Sequence, residues 1–230
     1  GAIDYAIHGE LKPSLLVVTD IDEIRLARAT SLYTVEEAKK NGINLVYLDT
    51  SNVENPVEAM LELTGGKGYD DVFVFAPVKP VVEQGDKILG KDGCLNFFAG
   101  PTNPAFAAEL NFYNVHYNST HIVGTSGGNT EDMIESLKMM AEGKINPASM
   151  ITHIGGLDSV VDTTMNLPKI LGGKKLIYTN ISMKLIAISD LRKKGKDDPV
   201  MVKLADIVES NNGLWNLEAE KYLLEHAKAI

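Results

Sequence analysis

Five short apolar runs, at 13–20, 43–48, 69–76, 93–100 and 121–124, are separated by stretches of helical periodicity, and this alternation constrains the fold more than anything else in the chain. Strands that take turns with helices are joined by crossovers, so they lie parallel in a sheet with helices on its faces. Residues 1–7 open the pattern as a helix with Ile3, Ala6 and Ile7 on one face, broken at Gly9. After Asp20 the apolar spacing turns helical again, and further helices are expected at 56–63, closed by Gly65-Gly66, and at 81–89. The expected class is α/β with a doubly wound parallel sheet.

The polar, glycine-rich stretch 124–130 reads as a domain boundary. Beyond it, Thr130 is placed to cap a helix over 131–142 whose buried stripe would be Met133, Ile134, Leu137, Met140 and Ala141. A strand follows at Ile151, then Asp158 as the cap of a helix over 159–167, then a strand over 174–179. The rest reads as helices at 182–193, 199–209 and 217–229, with Asp198-Pro199 and Asn216 as start signals. The basic cluster around Arg192 reads as a solvated linker. The expected domains are 1–126, a partial nucleotide-binding unit; 127–180, part of a second domain; and 181–230, a helical extension.

Asp20 gives the first chemical clue. It ends an apolar strand 19 positions after Gly1, which is close to the gap between a glycine-rich phosphate turn and the acid that holds an adenosine ribose in a Rossmann unit. On that spacing the chain starts inside the unit, after its first strand. Asp20 can also be read as a simple turn or cap residue. Small residues at the ends of later strands, Ala76 and Pro77, then Ala99, Gly100 and Pro101, fall where open α/β sheets bind ligands. Plain turns are the competing reading.

Composition narrows the classes. A net charge of −9 argues against a nucleic-acid binder, which needs a basic face. The single cysteine, Cys94, excludes an internal disulfide or a multi-cysteine metal site and suits a reducing, cytoplasmic setting. No apolar run reaches about 18 residues, so no membrane partner is expected. The five histidines show no ligand spacing, so neither a metal-ligating nor a catalytic residue is expected in these 230 residues.

The runs 14–28, 63–72, 150–153 with Leu157-Asp158, and 172–177 occur in an order that resembles the medium-chain, zinc-dependent alcohol and polyol dehydrogenases over residues 1 to about 179. The segments 115–118, 124–128 and 212–215 resemble the sugar-phosphate branch of that family, the sorbose-1-phosphate-reductase-like dehydrogenases. The resemblance implies an NAD-dependent oxidoreductase acting on a small-molecule alcohol or ketone. Its zinc would be carried by an upstream catalytic part, and it would assemble as a homo-oligomer, a dimer or tetramer.

The resemblance also implies site roles. Gly1 would be the last glycine of the phosphate fingerprint. Asp20 would hold the ribose and favour NAD over NADP. Arg25 would lie near the adenine or pair with Asp20; an exposed helix arginine is the alternative. Thr125, Ser126 and Gly127 would offer backbone groups to the nicotinamide amide. Lys175 would reach the pyrophosphate, although an exposed strand lysine is an equal reading. With the family's strand order 3-2-1-4-5-6, the second and fourth strands would lack their shared neighbour. A non-catalytic NAD-sensing domain, or an α/β module that binds nothing, are the alternatives of other classes.

Overall fold

The computed structural model describes residues 1–230. In chain order the elements are α1 (Ala2–His8), β1 (Leu15–Asp20), α2 (Glu23–Leu32), α3 (Val35–Lys40), β2 (Asn44–Asp49), α4 (Pro56–Leu63), β3 (Tyr69–Val74), α5 (Lys79–Lys87), β4 (Leu89–Phe97), α6 (Phe112–Tyr117) and β5 (His121–Gly124). They continue with α7 (Thr130–Ala141), β6 (Ile151–Gly156), α8 (Val160–Asn166), β7 (Lys174–Tyr178), β8 (Ile186–Ala187), α9 (Leu191–Lys194), α10 (Pro199–Ser210) and α11 (Leu217–His226). Two units emerge from the packing: one of residues 13–31 and 35–138, the other of 1–12, 32–34 and 139–230.

The first of these units is the alternating α/β part, and every strand pair in it is parallel. Its strands form two sheets, β1-β2 and β3-β4-β5. β1 and β3 therefore each have a partner on one side only, the two edges that the resemblance expects to flank the family's central strand. Leu95 and Val74 on the sheet meet Val82 of α5 in a small core, with Val72, Leu89, Phe97 and Phe106 around it. Gly85 lets α5 lie close, because a Cβ there would come within 2.9 Å of Leu95 Cδ1. α4 starts where Asn55 accepts the Glu58 amide ahead of Pro56, and it ends at Gly65 and Gly66, both at positive φ.

Two expectations about α7 do not hold. Its N-terminus is capped by Asn129, which accepts the Glu131 and Asp132 amides while Asp132 accepts the Asn129 amide, and not by Thr130. No α7 residue is buried: Met133, Ile134 and Leu137 are 59%, 62% and 63% exposed. Helical periodicity locates an apolar face but says nothing about what covers it.

The second unit is built on the sheet β7-β6-β8, in which β6 runs parallel to β7 and antiparallel to β8. Its core joins Ile154 of β6 to Leu191, Leu204, Ile207, Val208, Trp215 and Leu223. Residues 181–230 thus share one core with β6 rather than standing apart as an extension. The Tyr178 hydroxyl donates to Glu220 Oε2 and accepts the Trp215 indole N–H at 2.8 Å, fastening β7 to the tail. α1 also belongs here: the buried Asp4 accepts the Asn146 amide at 2.7 Å through Oδ2 and lies 2.8 Å from His8 Nδ1 through Oδ1. The division between units falls at 138/139, within α7, where the sequence placed it at 126/127.

Three local readings in this unit change. Ile186–Ala187, expected to lie in a helix, forms β8 instead; a short apolar run of this kind does not distinguish strand from helix by periodicity. Asp158 does not cap α8. It accepts the Ser182 hydroxyl at 2.7 Å and the Met183 amide at 2.9 Å, and these bonds, the hydroxyl first, hold its carboxyl below the usual range. Arg192 is no free linker residue, since its guanidinium grips Glu209 through Nε and Nη2 and Asp206 through Nη2.

Candidate nucleotide-binding edge

β1 and β2 end together on two acids, because the ladder pairs Leu15 with Asn44 and runs without a break to Asp20 opposite Asp49. Past Asp20 the chain turns at once into α2. Asp20 Oδ1 accepts the Ile21 and Asp22 amides at 2.8 and 3.0 Å, and Asp22 Oδ1 accepts the Ile24 and Arg25 amides at 2.9 and 3.2 Å. Two successive carboxylates therefore satisfy the amides that the helix start leaves open. The second oxygen of Asp20 faces the Arg25 guanidinium at 3.6 Å, and the same guanidinium lies 3.4 Å from Asp22 Oδ2. Arg25 is thus shared between two acids.

Asp49 is tied more tightly. Its Oδ1 accepts the Ser51 amide at 2.8 Å and the Ser51 hydroxyl at 2.6 Å, and its Oδ2 accepts the Asn52 side-chain amide at 2.6 Å. The Ser51 hydroxyl and amide, then Asn52, hold its carboxyl below the ordinary range. Asp22 and Asp49 were not singled out from the sequence as site residues. The available signal was an acid closing each of two consecutive apolar runs.

The other small residues collect at the carboxyl ends of the second sheet. Ala76 and Pro77 follow β3 in a turn closed by the Val78 amide on the Ala76 carbonyl. Ala99, Gly100 and Pro101 follow β4, with Ala99 buried and its amide donated to the Val74 carbonyl. Thr125, Ser126 and Gly127 follow β5 and are exposed, Gly127 at a φ of +78°. Since β3, β4 and β5 are parallel neighbours, these eight residues share one edge of the sheet. A Cβ added at Gly100 or Gly127 would meet nothing within 4 Å, so that edge is open.

Two sequence candidates lie in the other unit. Gly1 is exposed at the start of α1, and its carbonyl accepts the Tyr5 amide. Lys175 directs its ammonium at the turn before β7, 2.7 Å from the Gly173 carbonyl and 3.1 and 3.3 Å from those of Ile170 and Gly172. That geometry closes a turn.

No three His, Cys, Asp or Glu side chains of these residues converge so as to hold a metal ion. His153 illustrates this: its Nδ1 lies 2.9 Å from the Thr152 hydroxyl, and burial, then Lys175, push its pKa down. The residues fit a nucleotide, with an acid at a strand end and an open edge of small residues, and they do not fit a zinc centre. No helix is long and apolar enough to cross a membrane.

A sequence profile described as zinc-binding dehydrogenase matches residues 16–142. Mannitol-1-phosphate 5-dehydrogenase of Aliivibrio fischeri is 55% identical over 225 residues, 98% of this chain and 53% of the relative. L-Sorbose 1-phosphate reductase of Klebsiella pneumoniae is 44% identical over 229 residues, all of this chain and 52% of the relative. The chain thus spans about half the length of the curated relatives it matches. Among solved structures, 2R,3R-butanediol dehydrogenase from Bacillus subtilis superposes with a TM-score of 0.59 at 19% identity, covering 74% of this chain and 45% of the other, a likeness of fold.

Proposed function

The chain belongs to the zinc-binding dehydrogenase family, and from that premise we propose that it carries the cofactor platform of an NAD(H)-dependent oxidoreductase. The enzyme would interconvert a secondary alcohol and a ketone of a sugar, polyol or sugar phosphate. The substrate class follows the names of the two sugar-phosphate relatives. The observation that carries the cofactor reading is Asp20, an acid at the carboxyl end of β1 with one oxygen turned to backbone amides and the other facing only Arg25 among its close partners.

NAD supplies the hydride acceptor when bound. This chain's contribution is to hold and orient it. Asp20 would accept the ribose hydroxyls, with Arg25 steadying the carboxylate. Ala76, Pro77, Ala99, Gly100 and Pro101 would leave room for the flat rings, and Thr125, Ser126 and Gly127 would present backbone groups to the nicotinamide amide. Gly1, which belongs to the other unit, is left out of the binding step. Lys175, with its ammonium on a turn, is left out of the binding step. Zinc belongs in this reading to polypeptide outside these residues, and no step is assigned to it here. Assembly as a homo-oligomer is part of the proposal.

Calorimetric titration of the full-length protein with NADH, beside an Asp20→Ser variant, tests the reading. Binding that weakens severalfold in the variant is expected. Wild-type protein that ignores NADH would sink it. NADH binding without turnover of any alcohol or ketone sugar phosphate would return the sensing alternative.

A further inference from the structure

We infer that Asp49, through its charge and without touching the cofactor, is a second determinant of the choice between NAD and NADP. The inference rests on the nucleotide reading of Asp20 given above. In-register residues on neighbouring parallel strands point to the same face of the sheet, and the strands run about 4.8 Å apart. Asp49 is the in-register partner of Asp20 at the carboxyl ends of β1 and β2. A group bound at Asp20 therefore lies within about one Debye length, ~8 Å at physiological salt, of the Asp49 carboxylate.

The way Asp49 is held suits an electrostatic role. Ser51 and Asn52 already donate to both of its oxygens, which leaves it little capacity to accept a ribose hydroxyl. Those partners are neutral, so the negative charge stays uncompensated. Arg25 is already divided between Asp20 and Asp22. Of the three carboxylates near this corner, Asp20 and Asp22 share one guanidinium and Asp49 is held by neutral groups. A plain ribose loses little there, whereas a 2′-phosphate brings a dianion toward the surplus and is repelled. Asp20 contributes both the hydrogen bond and a charge, and Asp49 the charge alone.

Asp49→Asn tests this, because the amide oxygen can still accept the Ser51 amide while the charge is gone. Asp49→Ser, another good capping residue, guards against a folding failure in the first variant. Titrations of full-length wild type and both variants with NADH and NADPH are expected to show NADPH binding tightened ~3–10-fold and NADH changed by less than about twofold, as loss of one screened charge near a dianion implies. In wild type the preference for NADH should shrink at high salt, and shrink less in the variants. Unchanged NADPH affinity in folded variants, or equal gains for both cofactors, would overturn the inference while leaving Asp20 in place. Absence of NADH binding to wild type would instead overturn the nucleotide reading itself.

Discussion

The Tyr178 hydroxyl donates to Glu220 Oε2 at 2.6 Å, binding the last residue of β7 to the C-terminal helix. Because that hydroxyl also accepts the Trp215 N–H, one oxygen holds two parts of the tail. Burial, then the Glu220 bond, raises the Tyr178 pKa, so the phenol keeps its proton throughout the neutral range. Replacing Tyr178 by Phe leaves an indole N–H and a carboxylate without their partner. A loss of about 1–3 kcal/mol is expected, since an orphaned polar group costs more than an average hydrogen bond contributes. Urea unfolding of wild type and Y178F measures it; equal midpoints would show the bond to be incidental.

Packing of α5 on its sheet makes a second claim. Gly85→Ala puts a methyl within 2.9 Å of Leu95 Cδ1 in a tight core and should destabilise the unit by about 1–3 kcal/mol. Gly100→Ala, where the added carbon meets nothing, should melt with wild type. The pair of melting temperatures checks the contrast.

Acid should loosen the segment held by Asp158. The Ser182 hydroxyl and Met183 amide depress its pKa in the folded state, so their stabilisation is present above the unfolded value, about 3.9 for Asp, and is lost as pH falls through the lower folded value. Stability measured from neutral pH down past that value should fall more steeply in wild type than in Asp158→Asn. Parallel curves would assign the acid sensitivity to other carboxylates.

Lys175→Met should affect stability and not cofactor. Its ammonium closes the turn at 170–173, so about 1 kcal/mol of stability should go with it. NADH affinity of the full-length protein should stay within twofold, roughly the 0.4 kcal/mol that such a ratio represents. A tenfold weaker affinity would restore Lys175 as a pyrophosphate contact.

Much of the strand order in the α/β unit could be read from the chain, since each of β1 to β5 is a local apolar run bounded by turn residues. The caps at Asn216 and Asp198 were equally readable, because a cap acts on amides two or three residues away. Asp20 and Arg25 were legible as a pair for the same reason. Asp49 was visible only as a strand end; its place beside Asp20 is a fact of register between residues 29 positions apart.

Local chemistry along the chain was enough to place β1 to β5 and the starts of α10 and α11, because hydrophobic period and capping act over a few residues. Which surfaces are covered needed the folded coordinates. The apolar stripe of α7 lies open, β8 joins a sheet instead of a helix, and Asp158 bonds to Ser182 and Met183, a segment that sequence proximity does not reveal. Burial and long-range hydrogen bonding are properties of what the chain brings together in space, and neither is written in the order of its residues.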